Sequence, residues 1–103
     1  MRKVTEKIKE AFKLRKSLKI GNTETDGETV WLFGNPIVKR DQSGLVLWSL
    51  AGWNTVTTRE RVNGIVDAGV RQVKGRPVLA NGHKIVATDW FVAPPPVPAL
   101  LVV

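Results

Sequence analysis

The chain has 103 residues, of which 43% are hydrophobic and 24% are charged, a balance typical of one small globular domain. It contains no cysteine, which excludes disulfides, thiolate metal sites and a cysteine nucleophile. The net charge is +7 at pH 7, and its uneven placement along the chain favours an anionic partner.

The location of the chain is predicted to be cytoplasmic. No apolar run approaches the roughly 18 residues of a membrane span, so no membrane span is expected. The first twenty residues lack the uninterrupted apolar stretch of a secretory signal, and the acidic residues Glu6 and Glu10 disfavour a transit peptide.

The positive charge is concentrated at the amino terminus. Residues 1–20 hold eight Lys or Arg against two Glu, a net charge of +6, whereas residues 21–103 have a net charge of +1. Apolar residues recur there at three- and four-residue spacing, which predicts an amphipathic helix over 1–20 that ends at Gly21 and Asn22. The predicted apolar face comprises Val4, Ile8, Ala11, Phe12 and Leu18, and the opposite face carries a basic stripe of Arg2, Lys9, Lys13 and Lys16.

Three interpretations fit the basic stripe. It is a solvated helix face, a surface that contacts nucleic-acid phosphates, or a surface that contacts a membrane or an acidic protein. Docking on a membrane is the least favoured, because Arg15 falls within the apolar arc and no tryptophan lies there.

Residues 21–56 have the alternation of a β-sheet. Asp26-Gly27 predicts a hairpin turn between two short strands, and the Gly-Asn-Pro sequence at 34–36 predicts a break. The segment 45–50 is the strongest predicted strand. Because it is apolar on both faces, we expect it to be central, with the first helix on one side and a partner subunit as a candidate cover on the other.

The remaining elements complete a predicted α+β fold. A short helix is expected over 57–68, with Thr57 and Glu60 forming a capping box and Gly69 ending the helix. A C-terminal hairpin over 70–92 is expected around Asn81-Gly82. We therefore predict a single domain over 1–93, in which the N-terminal amphipathic helix packs on a small, mainly antiparallel sheet, followed by a Pro-rich apolar tail over 94–103.

The start of the second predicted helix is a candidate anion site. A helix amino terminus presents unpaired N–H groups and a positive dipole end, which attract phosphate. The side chains that would complete this site are Thr57, Thr58, Arg59 and Arg61. The alternative is that Thr57 is only a cap and that the arginines are solvated.

The tryptophans and the tail are candidate interaction groups. Trp48 is expected in the core, as are Trp31 and Phe33, which share a strand face. Trp53 and Trp90 either pack in the core or stack on a base or a partner side chain. The apolar tail residues Leu100 and Leu101 either pack on their own domain or dock on another chain.

Catalysis is not expected. The only histidine, His83, flanks a predicted turn, and the nine acidic residues show no close pair on one strand face. No metal-ligand spacing, phosphate loop, dinucleotide motif or nucleophile elbow is present. The sequence therefore predicts neither an enzyme nor a metal or cofactor site.

One stretch resembles a family of small phage and mobile-element proteins. It runs from Leu32-Phe33-Gly34-Asn35-Pro36-Ile37 to Ala51-Gly52-Trp53-Asn54-Thr55-Val56-Thr57-Thr58-Arg59-Glu60-Arg61-Val62-Asn63. The family pattern has a Gly-x-Pro-Ile element followed by Gly-Trp-x-Thr-x-Thr-Thr-Arg-x-Arg-Leu-Asn, and the match covers about residues 20–66. The resemblance implies a phage-type origin in a bacterial host and no particular activity.

Two functions follow as predictions. The first is a phage-type accessory protein that binds DNA or RNA through the basic helix and the segment 57–61. The alternative is a protein-interaction module, either an inhibitor of a host protein or a self-assembling homo-oligomer, that uses the apolar tail and exposed tryptophans.

Overall fold

A computed structural model of the protein describes residues 2–94. Those residues form two helices and eight strands, which confirms the predicted α+β class. In chain order the elements are α1 (Lys3–Lys13), β1 (Leu18–Ile20), β2 (Thr23–Thr25), β3 (Thr29–Leu32), β4 (Asn35–Arg40), β5 (Val46–Trp48), α2 (Val56–Val66), β6 (Arg71–Val73), β7 (Arg76–Val78) and β8 (Phe91–Val92).

Six strands form one antiparallel sheet in the order β1-β2-β3-β4-β5-β8. Helix α1 packs on β1, β2 and β3, helix α2 packs on β4 and β5, and the two helices contact each other. The remaining strands, β6 and β7, pair with each other in a separate two-stranded sheet.

The hydrophobic core lies between the two helices and the six-stranded sheet. Trp48 is only 2% exposed and its ring lies 4.9 Å from that of Phe91, which confirms the prediction that it belongs to the core. Burying such side chains is the main favourable term in folding. The buried cluster is completed by Ile8, Phe12, Val30, Leu32, Ile37, Val38, Leu50, Val62, Ile65, Val66 and Val70.

Helix α1 ends at Lys13, so the predicted helix over 1–20 is too long. Arg15 adopts a left-handed conformation with φ of 56°, and the amide of Lys16 donates to the carbonyl of Ala11 at 2.8 Å. Together with the Arg15 amide donating to Phe12 at 3.2 Å, this is a Schellman motif without glycine. Lys16 therefore lies beyond the helix and does not share the helix face on which the stripe was predicted.

The β2–β3 hairpin forms at Asp26-Gly27 as predicted. Gly27 is also required by packing: a Cβ there would lie 2.5 Å from the backbone carbonyl carbon of Arg15. The left-handed end of α1 therefore rests directly on this turn, which explains how a non-glycine residue is held in that conformation.

The next turn departs from the prediction. The chain reverses at Phe33-Gly34, with φ of 50° and 79°, and Leu32 pairs with Asn35 across it. Strand β4 then continues through Pro36, where a break was predicted. Because Phe33 is a turn residue, its side chain points away from the core and is 72% exposed, so its predicted core position is wrong.

Strand β5 is shorter and less central than predicted. It covers three residues and is fifth of the six strands, paired on its outer side with the two-residue β8. Leu45 is 51% exposed, and the chain turns away at Ala51 and Gly52, with φ of 53° and 84°. The apolar run at 45–50 thus includes turn and loop residues as well as a strand.

Helix α2 begins at Val56, one residue earlier than predicted, and the predicted capping box is wrong. Its N-cap is Thr55, whose hydroxyl accepts a hydrogen bond from the Thr58 amide at 3.1 Å. The last residue of the helix is Val66, and its C-cap is Asp67, which adopts a left-handed conformation with φ of 54°. Gly69, which was predicted to end the helix, lies two residues further on. The carboxylate of Glu60 does not cap α2 and instead accepts a hydrogen bond from the Thr5 hydroxyl of α1.

The predicted hairpin over 70–92 is divided in two. Strands β6 and β7 reverse through Lys74-Gly75, and a second turn at Asn81-Gly82 is closed by the Leu79 amide donating to His83 at 2.8 Å. The chain then returns to the main sheet as β8. Within residues 2–94, neither helix is long and apolar enough to cross a membrane.

Candidate nucleic-acid interface

The predicted basic stripe becomes a surface of mixed charge. Arg2 is the N-cap of α1, Lys13 is exposed on its last turn, and Lys9 is half-buried. A surface hollow on this helix is lined by Glu6 and Glu10 together with Lys9, Lys13 and Leu14. Opposite charges three or four residues apart on a helix attract one another, so the two glutamates partly neutralise the lysines.

Arg61, a predicted anion ligand, is buried and has a structural role. The side chain is only 5% exposed and donates from Nε to the Thr23 hydroxyl at 3.0 Å and from Nη1 to the Thr5 hydroxyl at 3.1 Å. It also forms an ion pair with Glu60, which accepts a hydrogen bond from Thr5 at 2.6 Å. This network joins α1, β2 and α2, and it leaves Arg61 without access to a surface ligand.

The carboxylate of Glu60 is held ionised within this network. Burial alone would raise the pKa of Glu60. The hydrogen bonds from Thr5 and Arg61 outweigh that effect, and the pKa lies below its usual value. The negative charge thus compensates the buried guanidinium.

The other residues of the predicted anion site also turn inward. Thr58 is 2% exposed, and its hydroxyl lies 2.8 Å from that of Thr55. Thr57 is half-buried. Arg59 donates to the side-chain oxygens of Asn54 and Gln72, so it connects α2 to β6. The start of α2 is therefore occupied by its own cap and by contacts within the fold, contrary to the predicted open phosphate site.

A second basic surface lies on the β6–β7 hairpin, which we call the ribbon. Four cationic side chains, all on exposed residues, surround a hollow of about 280 Å³ there. Three of these ribbon cations, Arg71, Lys74 and Arg76, belong to the hairpin, and the fourth, Lys84, follows it and bridges to Val78. The hollow is also lined by Val73, Val78 and Gly82. No acidic side chain lines this hollow, in contrast to the one on α1.

The net charge of +1 summed over residues 21–103 conceals the ribbon. Residues 68–88 contain four Lys or Arg and no acidic residue, whereas the compensating carboxylates belong to other segments. A net charge calculated over short segments of the sequence would have revealed this basic stretch.

An apolar groove opens beside the start of α2. It has a volume of about 440 Å³ and lies between two exposed aromatic side chains, Phe33 at 72% and Trp53 at 58% exposure. The rest of its lining is apolar apart from one amide and two hydroxyls: Leu32, Asn35, Ile37, Leu50, Thr55 and Thr58. The structure thus places the predicted interaction residue Trp53 at the surface.

Left-handed backbone positions present both aromatics. Phe33 itself has φ of 50°, and Trp53 follows Ala51-Gly52. The Gly52 amide donates to the carbonyl of Ala87 at 2.9 Å, and the Trp53 amide donates to that of Leu50 at 2.8 Å. The turn is therefore anchored on both sides, and Trp53 projects from a fixed backbone.

The groove and the ribbon are neighbours. Asn54, the residue after Trp53, donates from Nδ2 to the Gln72 side-chain oxygen at 3.2 Å and to the Gly75 carbonyl at 3.4 Å. Gln72 lies in β6 and Gly75 in the ribbon turn. Asn54 therefore ties the loop that carries Trp53 to the ribbon, next to the turn that contains Lys74.

The remaining candidate residues lie elsewhere. Trp90 is half-buried, and the Lys39 ammonium lies 4.1 Å from its ring centroid, a cation–π contact within the fold. His83 is exposed, and its amide donates to Asn81 Oδ1 at 3.0 Å within the turn. Leu100 and Leu101 lie outside the described residues. Across residues 2–94, no group of three or more His, Asp or Glu side chains is placed to hold a metal ion.

Comparison with known proteins gives a match at the level of a family. The model of the Kyanoviridae Gp96 protein family matches residues 1–94. The match extends beyond the stretch that carries the sequence resemblance, and it includes α1, the groove and the ribbon. No curated protein and no solved structure shows a significant match.

Proposed function

The chain belongs to the Kyanoviridae Gp96 protein family, and we propose that this phage protein is a non-enzymatic accessory protein that binds nucleic acid. Its place of action in this proposal is the cytoplasm of the bacterial host. The ribbon makes the principal contact, and Arg2, Lys9 and Lys13 at and on α1 make a secondary one.

The observation that carries the proposal is the uncompensated charge of the ribbon. Four cations surround one hollow, and no carboxylate lines it. Lys and Arg that neutralise phosphates release condensed counterions, which supplies most of the sequence-independent affinity for nucleic acid. A two-stranded antiparallel ribbon is also narrow enough to enter the major groove of a duplex.

Helix α1 supports binding less strongly. Arg2 and Lys13 are exposed, but Glu6 and Glu10 share the same helix surface. Carboxylates repel phosphates at close range, so each α1 lysine is expected to contribute less than a ribbon cation.

The test is a filter-binding titration with short DNA and RNA oligonucleotides, beginning at ~50 mM salt, where phosphate contacts are strong. The ribbon variant is Arg71→Gln, Arg76→Gln and Lys84→Gln. Loss of three phosphate contacts is expected to weaken binding to all sequences and to flatten the dependence of log K on log salt by about 2 to 3.

A matched control removes the same charge elsewhere, through Lys3→Gln, Lys7→Gln and Lys19→Gln, all at exposed positions away from both hollows. The control is expected to keep most of the affinity. Equal losses in the control and the ribbon variant would show that only net charge matters, and the absence of binding by the unaltered chain would contradict the proposal itself.

The second candidate function is protein interaction, and the exposure of Trp53 supports it. Trp90 contributes less, because its ring contacts Lys39. Removing residues 94–103, which include Leu100 and Leu101, is expected to abolish a partner contact or an oligomer. An unchanged molecular size and unchanged pull-down after this truncation would contradict a role for the tail.

A further inference from the structure

We infer that the groove between Phe33 and Trp53 binds an unpaired base of single-stranded nucleic acid while the ribbon cations contact the adjoining phosphates. This inference rests on the proposed function and specifies its ligand. The site would combine two features, the aromatic groove and the ribbon cations.

The aromatic side chains have the exposure that stacking requires. Phe33 and Trp53 are the most exposed aromatic residues among those described, and both border the same groove. Leu32 and Asn35 pair across the turn that contains Phe33, and this pairing leaves the Phe33 side chain outside the core. Every base has an apolar face that stacks on such side chains whatever the sequence.

The groove also matches the edge of a base. Its floor is formed by Leu32, Ile37 and Leu50, while the Asn35 amide offers both a donor and an acceptor. A base combines an apolar face with polar edge atoms, and Asn is a frequent partner of those atoms.

The charge around the groove favours nucleic acid over an apolar protein segment. No acidic side chain lines the groove or the hollow of the ribbon. Asn54 ties the Trp53 loop to Gln72 and to Gly75, the residue after Lys74, so a strand whose base enters the groove has its backbone near the turn end of the ribbon. A groove that tracks the backbone with positive charge and stacks bases on aromatics is typical of single-strand binding.

The ligand must be unpaired at the groove. In a duplex both faces of a base are stacked and its pairing edge is occupied, so it cannot enter without being extruded. The site therefore predicts a preference for single strands over duplexes, while the ribbon alone would bind both.

The experiment compares Trp53→Ala and Phe33→Ala with the unaltered chain, using fluorescence anisotropy on a single-stranded oligonucleotide and on its duplex. Each substitution is expected to weaken single-strand binding by about 5- to 150-fold, the range for loss of one stacked base. Duplex affinity and the salt slope should stay unchanged, because no phosphate contact is lost. Trp53→Phe, which keeps a stacking ring, should retain most of the single-strand affinity.

The control is Leu45→Ala, which removes an exposed apolar side chain outside the groove and should bind as the unaltered chain does. Near-unaltered single-strand binding by both aromatic variants, with loss only in the ribbon variant, would overturn the base site and leave the proposed function standing. Loss of self-association in the Trp53→Ala chain with unchanged nucleic-acid affinity would assign the groove to a protein partner and also overturn the inference. No binding of either oligonucleotide by the unaltered chain would contradict both proposals.

Discussion

Helix α1 and the ribbon are both basic, yet they differ in how their charges are compensated and in how they are fixed to the fold. The α1 lysines share their surface with two glutamates, and the helix buries its other face in the core. The ribbon cations have no acidic neighbour lining their hollow, and most ribbon side chains are exposed. Charge summed along a segment therefore does not locate the surface where that charge is available.

The two regions also have different anchors. A buried ionic network through Arg61 and Glu60 holds α1, whereas the side-chain amides of the half-buried Asn54 and the exposed Gln72 hold the ribbon. Substitutions in the two anchors should therefore separate global stability from local order.

The largest effect is expected from Arg61→Ala. It leaves Glu60 without its cation and two buried hydroxyls, Thr5 and Thr23, with one hydrogen bond fewer each. Removing one partner of a buried ion pair costs about 3–5 kcal/mol of unfolding free energy. Urea unfolding measures this loss. Lys13→Ala, an exposed control on α1, should change stability by less than about 0.5 kcal/mol, and a similar small effect for Arg61 would disprove the structural role.

The core contact of α1 gives the next largest effect. Ile8 is fully buried, so Ile8→Ala is expected to cost about 2–5 kcal/mol. Val73 on the ribbon is 40% exposed, and Val73→Ala should cost about 0.5 kcal/mol or less. Thermal or urea unfolding of the two variants measures these losses of stability. Equal costs would mean that the ribbon belongs to the cooperative core as fully as α1 does.

A smaller, local effect is expected from Asn54→Ala. It removes two hydrogen bonds to the ribbon and the Arg59 contact, each worth about 1 kcal/mol. Amides of β6 and β7 should then exchange faster with deuterium, while protection in β3 and β4 stays unchanged. Gln42→Ala, an exposed control in another turn, should leave both regions unaltered. Unchanged exchange in the ribbon would show that backbone pairing alone orders it.

The smallest expected effect is the pH dependence from Glu60. Its pKa is lower in the folded chain than its usual value of 4.5, so folding stabilises the ionised form. This contribution is complete above 4.5 and is lost as the pH falls through that value and then through the lower pKa of the folded state. The stability difference between the unaltered chain and Glu60→Gln should therefore shrink on acidification. A difference that is constant from neutral to acid pH would contradict a depressed pKa.

Much of the fold could be predicted from local patterns. The apolar spacing of α1, the Asp26-Gly27 turn and the apolar face of α2 each depend on nearby residues, and the structure contains them all. The errors arose where distant contacts decide. The end of α1 depends on Arg15 adopting a left-handed conformation against the distant Gly27, and arginine is not a residue type that signals a helix end.

The site was less predictable than the fold for the same reason. Arg61 looks like a surface ligand in the sequence, but Thr5, Thr23 and Glu60 converge on it only after folding. The exposure of Phe33 results from a two-residue turn that uses an aromatic residue where glycine or asparagine is usual. Trp53 was predicted to be either core or contact residue, and only the Ala51-Gly52 turn decides between them.

The pairing of Arg71 with Val78 places the two ends of the ribbon next to each other. A segment whose ends coincide can be lengthened, shortened or exchanged without moving the chain that enters and leaves it. Its positive charge can consequently vary independently of the core. A change in the length of the ribbon is therefore expected to leave α1, α2 and the six-stranded sheet in place.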